Sequence, residues 1–153
     1  MRILALDVGD RRVGIAVCDE EGLIASPLTV LQRASKAQDF ARLAQLVREQ
    51  EVGFLVVGHP LNEDGSAGPQ ARRIERYAEA LQEALRREGL DLPMVLWDES
   101  FSTQRAQEAM IASGRKARAR RARIDAVAAA FILQDYVQAR QQRASPAADE
   151  SDF

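Results

Sequence analysis

Ile3-Leu4-Ala5-Leu6-Asp7-Val8-Gly9 is an apolar, strand-like run that holds a single acid. A carboxylate buried there alone is costly, because desolvation disfavours its charged form. A bound cation or a neighbouring donor is what such a position calls for. Gly9, two residues on, lets a ligand or another stretch of backbone approach the strand end. Without such a partner the same residues read as a short Asp-x-Gly turn after a buried strand.

Outward from this run, residues 13–18 follow across the turn-like Gly9-Asp10-Arg11-Arg12, and Asp19-Glu20-Glu21-Gly22 leads into 23–31. These three runs read as an antiparallel meander, with Pro27 marking the third as an edge strand or a bulge. Ser35-Lys36-Ala37-Gln38 fits a capping box, and Phe40, Leu43, Ala44 and Val47 follow at helical spacing. Phe54-Leu55-Val56-Val57 is wholly apolar, as expected of a parallel strand covered on both faces. A loop from Gly58 to Gly68 comes next. Pro69 then opens a helix striped by Ile74, Tyr77, Ala78, Leu81 and Leu85, with Gly89 as its stop. Met94-Val95-Leu96-Trp97 is the next strand and ends in Asp98-Glu99.

Beyond it, Ser102 caps a further helix through Ile111, closed by Gly114. Residues 115–123 contain six bases and no acid, which predicts a mobile, solvated loop. Residues 124–143 form the last helix, opened by Asp125. This order predicts one α/β domain over 1–143, built on a five-stranded mixed sheet with helices on both faces. Its first three strands are antiparallel and its last two parallel. Residues 144–153 are predicted to be a disordered acidic tail.

Composition bounds the function. The 153 residues suit a single domain with a real core, and 46% hydrophobic with 29% charged residues is ordinary for a soluble protein. Cys18 alone permits no internal disulfide and suits a reducing cytoplasm. No leader peptide or membrane span is expected, so the predicted location is cytoplasmic. With 23 acids in all, and three of them at Asp149, Glu150 and Asp152, the residues before Asp149 hold 20 acids against 21 bases. The acidic balance is therefore partly a tail effect, and local clusters of charge are the better guide to a polyanionic partner.

Clusters of Asp and Glu suit Mg²⁺ or Mn²⁺, hard cations that also bind substrate phosphates. Two such ions can activate water and stabilise the leaving oxygen in phosphodiester cleavage. That chemistry needs carboxylates from separate segments on one edge of the sheet, and Asp7, Glu99 and Asp125 meet the need. Strand alternation sends Asp98 and Glu99 to opposite faces, so one alone reaches a site beside Asp7. The bland alternatives are a helix-capping Glu99 and a first-turn Asp125 favoured by the helix dipole. His59, the single histidine, excludes a His/Cys zinc site and sits where a phosphate contact is possible. Arg115, Lys116, Arg118, Arg120, Arg121 and Arg123 would neutralise phosphates just ahead of Asp125, and otherwise form a solvated charge run.

Four stretches then occur in a familiar order: Asp7-Val8-Gly9-Asp10-Arg11-Arg12-Val13-Gly14-Ile15-Ala16, Val57-Gly58-His59-Pro60-Leu61-Asn62-Glu63-Asp64-Gly65, Asp98-Glu99-Ser100-Phe101-Ser102-Thr103 and Ile124-Asp125-Ala126-Val127-Ala128-Ala129. Together they resemble the YqgF (RuvX) family over nearly the whole chain except the tail. The resemblance implies a ribonuclease H-like fold related to the RuvC resolvases. It also implies a bacterial nuclease of pre-16S rRNA 5′-end maturation, with ribosomal precursor particles as partners, or a Holliday-junction resolvase of recombination and repair. By the family pattern Asp7, Glu99 and Asp125 are catalytic and bind the metal, with Gly9, Arg11, Arg12, His59 and Asn62 around the nucleic acid. The chain departs from the pattern at Ser100, where Arg is usual, and at His59, where an aliphatic or aromatic residue is usual. Ribonuclease H-like nucleases more widely place an acid at the end of the fourth strand. Here Gly58-His59 stands there, so Glu99 has to substitute.

Two other classes compete. An actin-like phosphotransferase shares the Asp-x-Gly strand but needs a second domain to close over its nucleotide. A catalytically weak nucleic-acid-binding module would keep the fold without the cleavage. A resolvase cutting two symmetric strands would need a dimer, so the expected state is a monomer or a homodimer.

Overall fold

A computed structural model describes residues 1–99 and 117–150, with side chains described over 124–142 of the second segment. The expected helix after Ser102, together with Ser100, Arg115 and Lys116, lies outside the described residues, as do 151–153.

Five strands form one sheet in the order β3-β2-β1-β4-β5. They are β1 (Arg2–Val8), β2 (Arg12–Cys18), β3 (Ala25–Gln32), β4 (Val52–His59) and β5 (Met94–Asp98). β1 pairs antiparallel with β2 and parallel with β4, and β4 pairs parallel with β5. β3 is an edge strand, and its register on β2 shifts where Thr29 and Pro27 face Ile15 and Ala16. The proline predicted both features, since it has no N–H to offer a ladder.

The strands sort their side chains by alternation. Leu4, Leu6 and Val8 pack with helices α1 (Lys36–Glu49) and α2 (Pro69–Arg87) on one face. Ile3 and Ala5 pack on the other face with Ile132 and Leu133 of helix α3 (Ala117–Glu150). Such fully buried aliphatic side chains contribute roughly 1.5–3 kcal/mol each. Ser35 caps α1, its Oγ accepting from the N–H of Gln38 at 3.2 Å. Pro69 starts α2, and Gly89 (φ 82°) lies just past its end. Cys18 is a buried core residue whose Sγ accepts from the N–H of Ile3.

The long helix departs from expectation at both ends. α3 begins at Ala117, so the backbone of 117–123 is helical where a solvated loop is predicted, and Asp125 lies well inside the helix. Ala and Arg, which make up residues 117–123, are strong helix formers, and their propensity outweighs the repulsion among the bases. Only the backbone is described at Arg118, Arg120, Arg121 and Arg123. At the other end the helix runs past Arg143 to Glu150. Among the described residues no helix is long and apolar enough to cross a membrane.

Candidate active site

Asp7 stands near the carboxyl end of β1, on the α3 face of the sheet, in the series Ile3, Ala5, Asp7. On β2 its register partner is Gly14. On the other side Leu6 pairs with Val57, so Gly58 of β4 is next in the parallel register. The central acid is thus flanked on both neighbouring strands by residues with no side chain.

Each glycine admits something. A β-carbon on Gly14 would collide with the backbone carbonyl of Asp125, so α3 lies directly on the sheet there and brings Asp125 to Asp7. A β-carbon on Gly58 would collide with the carboxylate of Glu99 and with the Ile132 side chain. Glu99 follows β5, whose Trp97 is in register with Gly58, and its side chain reaches across β4 toward β1. The backbone N–H of Glu99 donates to the carbonyl of His59. Glu99 thus lies, from the adjacent strand, over the end of β4, where the chain has Gly58-His59 and no acid. Asp98 points away and is exposed, as alternation requires.

Glu99 and Asp7 are hydrogen-bonded through their carboxyl groups. Burial, followed by the nearby charge of Asp7, pushes Glu99 up to about 9, so near neutrality it is protonated and donates to Asp7. Burial also raises Asp7, an effect that Asp125's charge reinforces and the bond from Glu99 opposes. Two half-buried carboxyls therefore share a proton, the usual response when like charges meet in a poorly hydrated place. Asp125 is held otherwise: Nε of Arg12 donates to its Oδ2 at 2.7 Å.

The donors facing one another are carboxylate oxygens, with no sulfur or ring nitrogen among them, and a proton sits where positive charge is wanted. That set fits a hard divalent cation in chemistry. Among the described residues no group of three or more His, Cys, Asp or Glu side chains is placed to hold a metal ion. Arg12 occupies one oxygen of the third acid, and the shared proton lies between the other two.

The remaining expected residues lie around this edge in different roles. Gly9 donates its N–H to the carbonyl of Arg12 at 2.8 Å and accepts from Nη1 of Arg33 at 2.8 Å. Arg11 is exposed, while its carbonyl accepts from the N–H of Arg33. His59 does not face open solvent: its Nε2 lies 2.7 Å from Oε2 of Glu75, and its side chain is 14% exposed. Asn62 closes its own loop, donating from Nδ2 to Oγ of Ser66. Sequence reasoning missed Glu75, Gly14 and the part played by Gly58. For Glu75 the available signal is its place beside Ile74 at the border of an apolar stripe.

Over 144 residues the chain is 41% identical to the "Putative pre-16S rRNA nuclease" of Thermoanaerobacter pseudethanolicus, covering 94% of this chain and 100% of that one. A relative of the same name from Syntrophus aciditrophicus is 42% identical over 146 residues, 95% of this chain and 94% of its own. Thermus thermophilus RuvC in complex with Holliday junction substrate matches in structure with a TM-score of 0.57 at 18% identity, over 92% of this chain and 96% of RuvC. The Fowlpox virus resolvase in its Holliday junction DNA complex gives 0.57 at 9% identity, over 91% of this chain and 98% of its own. At such identities the likeness is one of fold, and the fold is ribonuclease H-like. A profile described as "RuvX: Holliday junction resolvase" matches residues 1–139, and together with the two relatives it shows that the chain belongs to the RuvX family.

Proposed function

We propose that the protein is a divalent-metal-dependent nuclease that hydrolyses phosphodiester bonds with Asp7, Glu99 and Asp125. The observation that supports this reading best is the Gly14–Asp7–Gly58 row, which clears the sheet surface so that acids from β5 and α3 approach the acid of β1. A buried cluster of this kind opposes folding unless positive charge completes it. Mg²⁺ or Mn²⁺, when bound, would supply that charge and polarise the phosphate under attack. Asp7 and Glu99 would hold the ion once their shared proton leaves, and Asp125 would join them on release from Arg12. Freed from Asp125, Arg12 is a guanidinium at the site rim, suited to orient a phosphate oxygen.

The relatives' name directs the substrate reading to the 5′ end of pre-16S rRNA, in the cytoplasm, with ribosomal precursor particles as partners. Cleavage of DNA junctions is the second reading. The matched profile's description and the fold shared with RuvC favour it.

The test is a cleavage panel of precursor rRNA, single-stranded DNA and four-way junctions with Mg²⁺ or Mn²⁺. Asp7→Asn should abolish cleavage while the fold and substrate binding survive. Full activity in that variant, or in excess chelator, would refute the assignment.

A further inference from the structure

On the opposite face of β1 from the acids, a pocket of about 270 Å³ opens between the starts of α1 and α2. Val8, the residue after Asp7, forms part of its floor with Ile74 and Tyr77, and Gly9 and Asp10 form its rim. The active-site acids and this pocket are therefore back to back across the end of one strand.

The pocket wall is basic. Arg33, Lys36, Arg73 and Arg76 line it against one acid, Asp10. Arg33 is fixed in place: Nη1 donates to the Gly9 carbonyl at 2.8 Å, Nε lies 4.0 Å from Oδ2 of the buried Asp39, and its guanidinium lies 5.0 Å from the centre of the Tyr77 ring, so the uncompensated charge of the wall is that of Lys36, Arg73 and Arg76. Among the described residues no carboxylate pairs with Lys36, Arg73 or Arg76, although Arg86 and Arg87 farther along α2 are paired with acids. Positive charge is thus left unpaired at the start of α2, beside the pocket, and neutralised at the helix's other end.

Two helix starts add to that field. Lys36 is the first residue of α1 and Gln70 the second of α2, and both line the pocket. Ser35 caps α1, but no side chain caps α2, whose preceding residue is Gly68. First-turn N–H groups of α2 are consequently open to an external acceptor, with the positive end of the helix dipole behind them.

We propose that this pocket binds a phosphate group of the nucleic-acid strand being cut, gripping it on the far side of the sheet edge from the acids. The proposal rests on the nuclease reading for the identity of the ligand, but on the pocket's own charge and shape for its existence. A strand laid over the rim at Gly9 and Asp10 would have one phosphate at Asp7 and another between Arg33, Arg73 and Arg76. Gripping the second sets which bond lies over the first.

The experiment measures anisotropy of fluorescent single-stranded oligonucleotides carrying either a 5′-phosphate or a 5′-hydroxyl, with metal chelated so that no cleavage intervenes. The Arg73→Ala/Arg76→Ala double variant should bind at least tenfold more weakly. Its dependence of log affinity on log salt should flatten by about 0.7 for each phosphate that the protein no longer neutralises. Arg86→Ala/Arg87→Ala, with the same change in charge on the same helix, should bind like the wild type. A greater loss for the phosphorylated strand assigns the pocket to a strand end, and equal losses assign it to a backbone phosphate. With metal restored, the pocket variant should raise KM and leave kcat near its original value. Unchanged binding in the pocket variant, or equal weakening in both double variants, overturns the proposal. If the wild type cleaves nothing while the pocket variant alone loses binding, the nuclease reading fails and the phosphate pocket stands.

Discussion

The carboxylate of Glu99 lies over the α-carbon of Gly58, in the space where any other residue would begin its side chain. An acid that follows β5 is thereby brought across β4 to Asp7 of β1. The atoms that a new methyl group would strike are ends of side chains, Oε2 of Glu99 and Cδ1 of Ile132, which can swing aside. Gly58→Ala should therefore fold, with a loss of about 1–3 kcal/mol from overpacking. It should nevertheless lose most of its cleavage, because a displacement of about 1 Å in a catalytic group can cost 100-fold. Circular dichroism beside a cleavage assay checks this, and full activity would show that Glu99 is not needed where it stands.

On the proposed function, Arg12 and a divalent cation would compete for the same carboxylate. The Nε–Oδ2 bond of 2.7 Å to Asp125 joins side chains that are 35% and 26% exposed. A pair that wet stabilises the fold by about 1 kcal/mol or less. Arg12→Gln should leave the melting temperature within a few degrees of wild type and bind Mn²⁺ several-fold more tightly in calorimetry, since a competing cation has gone. Substrate affinity should fall. Weaker Mn²⁺ binding in this variant would mean that Arg12 orients Asp125 for the metal instead of withholding it.

The shared proton makes apo stability depend on pH in a definite sense. Glu99 has an ordinary value of 4.5 and is pushed up to about 9 in the fold, chiefly by burial, with Asp7 raised in the same direction. Between those values the folded protein keeps a proton that the unfolded chain releases. Raising the pH therefore favours unfolding. This contribution is fully present below about pH 4.5 and lost as the pH rises through about 9. In chelator, the melting temperature of wild type should drop between pH 6 and pH 8.5 by at least about 3 °C more than that of Glu99→Gln, the shift expected from roughly 1 kcal/mol in a chain of this size. Mn²⁺ should shrink the difference, since it replaces the proton. Parallel curves for the two proteins would contradict the buried pair.

The features legible in the residues are those that local periodicity encodes. The meander and the sorting of Asp98 and Glu99 to opposite faces follow from a spacing of two, the Pro27 irregularity from a missing N–H, and the Ser35 cap from a single side chain; all are present. The partners of charged groups are illegible, because they are set by the three-dimensional path of the chain. Arg12 meets Asp125 across 113 positions, and His59 meets Glu75 from a different element. Neither pairing leaves a periodic trace. The start of α3 departs from expectation for a different reason: a dense basic run reads as solvated charge, while its alanines and arginines favour helix.

Gly14 and Gly58 flank the same acid but should fail in opposite ways when substituted. At Gly14 the colliding group is the backbone of Asp125, not the tip of a side chain. Relief requires lifting α3 off β2, and α3 carries Ile132, Leu133 and Val137 into the core of that face. Gly14→Ala should thus lose more stability than Gly58→Ala, beyond the roughly 3 kcal/mol upper end of ordinary overpacking. Its denaturant midpoint should fall accordingly, and Asp125 should be displaced along with the helix. An unfolding curve for Gly14→Ala that overlays wild type would mean that α3 can rise from the sheet at little cost, and the packing that brings Asp125 to Asp7 would not be rigid.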